Sequence, residues 1–171
     1  NGLTDNTIII FMADNGGNAD VKAKGGIPHT QNAPLREGKG SCYEGGIRVP
    51  MSVYWPGKTR AGSIIDAPVM PEDLFPTILE MAGSKRYETV QSIDGRSLVP
   101  LLRNRISGWQ RDVIFHYPHQ WKPDYRREVD FLSTIIRDEW KLVYVMKERR
   151  LELYNLKEDI GETRDLAASY P

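Results

Sequence analysis

The chain has 171 residues, 40% hydrophobic and 27% charged, the balance of one globular domain or one with a small appendage. Its 23 Lys plus Arg offset 23 Asp plus Glu, so there is no net basic field of the kind a general nucleic-acid binder uses. The longest apolar run, Ile8 to Ala13, falls well short of the roughly 18 residues of a membrane helix, and a single cysteine excludes a disulfide framework and a multi-cysteine zinc site.

The chain opens Asn-Gly-Leu-Thr, without an initiator Met or a leader, as a processed or excised piece would. Thr7 to Met12 is β-branched and apolar without alternation, which predicts a strand buried on both faces. Eight of the 15 glycines then fall between Gly16 and Gly46, with Pro28, Pro34 and several Asn, and predict a long irregular loop with a job to do. Val49 to Tyr54 is the next strand candidate, stopped by Pro56-Gly57. Pro71 to Gly83 predicts a helix. Asp73 is its expected N-cap, Gly83 its C-cap, and Leu74, Phe75, Ile78, Leu79 and Ala82 its apolar face.

Composition changes near Gly108. Val113 to His116, Leu132 to Arg137, Leu142 to Met146 and Leu151 to Asn155 are short strand-like runs with short turns, the pattern of an antiparallel meander. Glu162 to Ala168 reads as a final helical turn or two. Strand, loop, strand and helix followed by a meander make the class α/β.

Two stretches carry candidate chemistry. Asp14-Asn15-Gly16-Gly17 follows the first strand, where ligands of open α/β sheets bind. A carboxylate beside an amide oxygen suits Ca2+ or Mg2+, and the same residues also suit a plain turn. Lys39, flanked by Gly38 and Gly40, could reach an anion with little steric cover, or be an exposed lysine on a flexible loop. The stretch is not a Walker loop, because Ala33 and Gly40 stand where that pattern needs Gly and Ser or Thr.

The run Thr7-Ile-Ile-Ile-Phe-Met-Ala-Asp-Asn-Gly-Gly17 resembles the type I sulfatases, as does Asn32-Ala-Pro-Leu-Arg-Glu-Gly-Lys-Gly-Ser-Cys-Tyr-Glu-Gly-Gly-Ile-Arg-Val-Pro50. The resemblance continues through Asp73 to Gly83, Asp94-Gly-Arg-Ser-Leu98 and Leu151-Glu-Leu-Tyr-Asn-Leu-Lys-Glu-Asp-Ile-Gly-Glu-Thr163. It covers nearly the whole chain and only the C-terminal part of such an enzyme. It implies the C-terminal part of an alkaline-phosphatase-like α/β sandwich at residues 1–108. A small antiparallel β subdomain with a terminal helix would follow at 109–171. The implied activity is hydrolysis of sulfate monoesters, of aryl or carbohydrate type, by a formylglycine nucleophile and a divalent cation, usually Ca2+.

By the same resemblance Asp14 and Asn15 match the second pair of metal ligands, and Lys39 matches the lysine that contacts the substrate sulfate. Glu44, Arg48 and Pro50 read as structural. A cation and a lysine beside the sulfate oxygens would stabilise charge where it develops as the S–O bond breaks. The family's Cys-x-Pro-Ser-Arg nucleophile motif is absent, since Cys42 is followed by Tyr43-Glu44-Gly45-Gly46, and so is its adjacent Asp pair. The expectation is therefore half a metal site and a chain that is catalytically silent by itself.

The histidines are secondary candidates. His116 and His119, near Trp121, could serve sugar recognition, although a packed aromatic cluster between the two sheets is the stronger reading. His29 could meet the leaving group, and its plainer reading is an exposed loop histidine. Arg126-Arg127 and Lys147 to Arg150 are interleaved with Glu128, Asp130, Glu148 and Glu152, and read as solvated turns. The expected partner is a sulfated small molecule or carbohydrate, with no nucleic acid and no membrane. Export to the periplasm, the lysosome or the cell exterior is expected from the resemblance alone. The rival readings are a phosphate or phosphonate ester hydrolase of the same superfamily and a non-catalytic module that binds sulfated glycans. Exposed apolar faces at Thr7 to Met12 predict self-association, or disorder of the 16–46 loop.

Overall fold

The computed structural model describes residues 2–18, 32–84, 87–120 and 130–171. The middle of the glycine-rich stretch, with His29, lies outside the described residues, as do Trp121 and the Arg126-Arg127 pair. The elements in chain order are β1 (Ile9–Met12), α1 (Glu44–Ile47), β2 (Met51–Tyr54), α2 (Leu74–Met81), α3 (Val99–Leu102), β3 (Val113–Tyr117), β4 (Leu132–Arg137), β5 (Trp140–Val145) and β6 (Arg150–Asn155). Among the described residues no helix is long and apolar enough to cross a membrane.

The chain forms two compact units, one of Asn1–Ile10 with Val53–Arg111 and the other of Phe11–Ser52 with Asp112–Pro171. These units interleave along the chain, whereas the division at residue 108 runs in two consecutive blocks. Segment 11–52, which carries Asp14, Asn15 and Lys39, belongs to the same unit as the meander.

β1 and β2 pair as a two-stranded sheet. The β-branched run does form the expected strand. Burial on both faces is not met: Ile9 and Phe11 are 55% and 63% exposed. Alternation puts both on one face.

In the first unit, the helical run begins at Pro71 as expected. Pro71–Asp73 forms a 3-10 turn that runs directly into α2. Asp73 immediately precedes α2 at the expected N-cap position, but with helical φ and ψ and no side-chain bond to the helix that follows, and its carboxylate reaches back to the Met70 N–H at 2.8 Å. Gly83 ends the helix at φ 85°, with its N–H on Glu80 O and that of Ser84 on Leu79 O. The buried positions of α2 are Pro76 and Thr77, while Phe75 and Ile78 are each 49% exposed. The cause is a polar junction. Thr77 Oγ1 accepts the Leu98 N–H at 2.8 Å, and Asp73 accepts the Arg96 N–H at 2.8 Å. The Asp94-to-Leu98 stretch therefore docks on the polar side of the helix and leaves the apolar side open.

In the second unit, β3-β4-β5-β6 is the expected antiparallel meander. His116 pairs with Ser133, Leu132 with Val145, and Lys141 with Tyr154. Asp138 and Arg149, at φ 53° and 52°, turn the last two hairpins. Leu132, Val143, Val145, Tyr154 and Leu156 pack with Cys42 and Tyr43 into one buried cluster. Full burial of a Val or Leu side chain stabilises by about 1.5–3 kcal/mol, so this cluster anchors segment 42–43 to the sheet.

The terminal helix is not formed. Residues 162–166 are irregular and 167–169 form a turn, in which Ser169 and Tyr170 bond back to Leu166. Competing bonds explain this. Asp159 accepts the Thr163 and Arg164 N–H groups, Asp165 accepts those of Leu153 and Ala167, and the Leu166 N–H bonds to Leu153 O. Glu152 and Asp130 were expected in solvated turns, yet both are 3% exposed. Strand alternation turns Glu152 to the inner face with Tyr154, whereas Lys147 to Arg150 are exposed as expected.

Candidate functional site

The site is built from two turns and a backbone junction. After β1 the chain bends at Asp14-Asn15. Asp14 is exposed and Asn15 half-buried, with Asn15 Nδ2 donating to Gly16 O at 2.9 Å. That bond uses one of the two amide hydrogens of Asn15. The turn is held from behind, since the Ala13 N–H donates to Pro50 O and the Gly16 N–H to Gly46 O. A Cβ on Gly16 would lie 1.8 Å from Gly45 O, so no larger residue fits this crossing.

Lys39 sits in a second turn, between Glu37 at φ 60° and Gly40 at φ 85°. Its backbone N–H donates to Gly17 O at 3.0 Å. The two stretches that carried candidate chemistry are therefore joined backbone to backbone. Asn32 locks the junction: its Nδ2 lies 2.9 Å from Gly17 O, 2.9 Å from Glu37 O and 3.2 Å from Gly45 O. Two amide hydrogens thus serve three carbonyls from three segments. A Cβ on Gly45 would lie 2.1 Å from Glu37 O, and one on Gly46 2.2 Å from Ser41 O. The glycines of α1 are what let the Lys39 turn lie flat on that helical turn.

Beneath α1 lies a buried charge network. Lys141, 0% exposed, donates to Glu44 Oε1 at 3.0 Å and lies 2.8 Å from Glu162 Oε1. Glu162 Oε2 accepts the Glu44 N–H at 2.7 Å, and Arg48 pairs with Glu44 Oε2. Burial pushes the Glu162 carboxyl above its ordinary value, against the Lys141 charge. A neighbouring set surrounds Glu152. Tyr43 and Tyr154 donate to its Oε2 at 2.8 and 2.7 Å, Arg150 pairs with Oε1, and Arg36 lies over the Tyr43 ring at 3.7 Å. Burial alone would raise Glu152. Hydrogen bonds from Tyr154, Arg150 and Tyr43, and then the Arg36 charge, outweigh burial and hold it below the usual carboxylate value.

Residues 38–170 match the family model of the C-terminal region of N-sulphoglucosamine sulphohydrolase. A sulfatase of Formosa agariphila is 34% identical over 99% of this chain and 30% of its own length. Human steryl-sulfatase is 39% identical over 67% of this chain and 20% of its own. The chain belongs to the type I sulfatase family.

Among solved structures, the sulfatase chain superposes on Ps i-CgsB with a TM-score of 0.72, at 32% identity over 97% of this chain and 33% of that one. It superposes on BT4656, solved with its substrate D-glucosamine-2-N,6-O-disulfate, with a TM-score of 0.70 at 26% identity, covering 32% of that chain. The chain thus spans about a third of the length of these structures and matches the C-terminal portion of the family. Its fold class is α/β, the C-terminal part of the alkaline-phosphatase-like architecture.

Of the secondary candidates, His116 and His119 are among the described residues. His116 stands exposed on β3, its Nδ1 3.0 Å from Ser133 Oγ, rather than packed among the described aromatic side chains. Alternation explains this, because Phe115 and Tyr117 take the inward positions of β3. His119 meets the Tyr117 ring edge-on at 5.7 Å and is also exposed. Among the described residues no group of three or more His, Cys, Asp or Glu gathers to hold a metal. Asn32, Lys141, Glu152 and Glu162 were not singled out from sequence. The parity of β5 carried a signal for one of them, since Lys141 shares its face with Val143 and Val145.

Proposed function

We propose that this chain supplies part of the active site of a sulfatase that hydrolyses sulfate monoesters of aryl or carbohydrate type. The observation that carries the reading is the Lys39 N–H to Gly17 O bond, which sets Lys39 beside the Asp14-Asn15 turn. Asp14 and Asn15 fit a hard divalent cation, Ca2+ or Mg2+, through one carboxylate and one amide oxygen in an accessible turn. Such a cation, when bound, polarises the ester oxygens and neutralises their charge. Lys39 orients the sulfate and offsets its charge, and the Asn32 lock keeps that lysine from drifting away from the turn. The formylglycine nucleophile has no motif in these 171 residues, so the chain alone is inactive.

The substrate class draws support from relatives. BT4656 was solved with a disulfated glucosamine, and Ps i-CgsB with k-i-k-neocarrahexaose. A sulfated carbohydrate or small molecule is the ligand chemistry we assign here, in an enzyme exported as the family resemblance implies.

The test uses protein expressed from the complete reading frame. Expected are turnover of an aryl sulfate well above an aryl phosphate, and a loss of about a hundredfold in kcat/KM for Lys39→Ala. Calorimetric Ca2+ binding should weaken in Asp14→Ala and Asn15→Ala. Preference for the phosphate, or an unchanged Lys39→Ala enzyme, overturns the reading. Tight binding of a sulfated sugar by the 171-residue chain without turnover supports the binding-module reading instead.

A further inference from the structure

The Lys39 turn is held from below by groups far along the chain. Glu44 opens α1, and its N–H is engaged by Glu162, one carboxylate oxygen by Lys141 and the other by Arg48. Gly45 and Gly46 of the same helical turn lie against the carbonyls of Arg36, Glu37, Gly38 and Ser41, the residues that frame Lys39. The Gly45 N–H also donates to Arg36 O at 2.7 Å. The 161–162 segment reaches the same stretch directly, since a Cβ on Gly161 would meet Pro34 O at 2.8 Å. A displacement of Glu44 therefore moves the carbonyl floor under Lys39.

We propose that Lys141 and Glu162 are positioning residues for Lys39: by fixing Glu44 they set where the Lys39 turn lies against the Asp14-Asn15 turn. This rests on the reading of Lys39 as the sulfate contact. Neither residue touches the substrate. Lys141 supplies a buried cation between the Glu44 and Glu162 carboxylates, and Glu162 caps the start of α1. Removing Lys141 leaves two carboxylates facing each other out of water, which drives Glu44 away from Glu162.

The test is a double-mutant cycle in protein expressed from the complete reading frame, read by kcat/KM on an aryl sulfate and by calorimetric binding of inorganic sulfate. Lys141→Met and Glu162→Ala are each expected to lower kcat/KM by about tenfold to a hundredfold and to weaken sulfate binding in parallel. In a Lys39→Ala background the same substitutions are expected to change either quantity by less than about twofold, because the residue they act through is gone. Glu162→Gln, which keeps a capping oxygen, should lose less than Glu162→Ala. If Lys141→Met does not fold, Glu162→Ala with Glu162→Gln carries the cycle. Equal losses in both backgrounds, or no loss in either, overturn the positioning role and leave the Lys39 reading standing. An undiminished Lys39→Ala enzyme removes that reading and this proposal with it.

Discussion

Arg111 Nη1 reaches both carboxylate oxygens of Asp73, at 2.8 and 2.6 Å, with the aspartate wholly buried and the arginine side chain 9% exposed. The same carboxylate accepts the Met70 and Arg96 N–H groups, so one aspartate joins the start of α2, the Asp94-to-Leu98 stretch and Arg111. Asp73→Ala strands a nearly buried guanidinium and two backbone donors. It should cost about 3–5 kcal/mol in urea unfolding. Asp73→Asn, which keeps an acceptor, should cost less. A loss under about 1 kcal/mol for the alanine would mean that water replaces the carboxylate there.

The Gly16–Gly45 crossing has no room for a methyl group. Gly16→Ala places a Cβ 1.8 Å from a backbone oxygen, so two backbone segments must part. Overpacking of this kind costs about 1–3 kcal/mol or more, and it should also lower kcat/KM by shifting the Asp14-Asn15 turn. Gly83→Ala meets no atom within 4 Å and suffers only its positive φ, a cost of about 1 kcal/mol and no change in activity. Paired melts and kinetics of the two variants check this, and equal effects on kcat/KM would count against it.

Glu162 and Glu152 should give stability opposite pH dependences. Glu162 is raised above 4.5, chiefly by burial, so the fold holds its proton more tightly than the unfolded chain does. Its contribution is full below pH 4.5 and is lost as pH rises through the raised value. Glu152 is held below 4.5, so its contribution is present above pH 4.5 and is lost as pH falls through the lowered value. Denaturant midpoints against pH should therefore show that Glu162→Gln removes a loss on the alkaline side of 4.5. Glu152→Gln should remove a loss on the acid side. Profiles parallel to the parent protein would contradict both assignments.

Cys42 should be silent in the folded protein. It is 3% exposed, packed against Tyr43 and the β4–β5 core, and burial pushes its thiol up to about 11 despite Lys141 nearby. At pH 8 a thiol-specific reagent should modify it only on unfolding, with a rate that tracks denaturant concentration. Rapid labelling of the native protein would refute this.

Much of the site was written locally. Asp14-Asn15-Gly16-Gly17 and Gly38-Lys39-Gly40 are short motifs whose residue types announce turns, and the Pro71-to-Gly83 helix and the four meander strands follow from periodicity. Such patterns depend on neighbours within a few residues, and those neighbours are in view. The N-cap position of Asp73 was local, but its side-chain role was not: besides the Met70 N–H its partners are Arg96 and Arg111, 23 and 38 residues on.

The sequence by itself determined the family and the α/β class, and it named Asp14, Asn15 and Lys39 as candidates. Only the tertiary structure decided that segment 11–52 folds with the meander, that Asn32 ties three carbonyls together, and that Lys141, an ordinary surface residue by type, is fully buried between Glu44 and Glu162. The physical reason is the burial of charge. A lysine can leave water only where carboxylates meet it, and Glu44 lies 97 residues from Lys141. No local pattern encodes that distance, and the fold alone closes it.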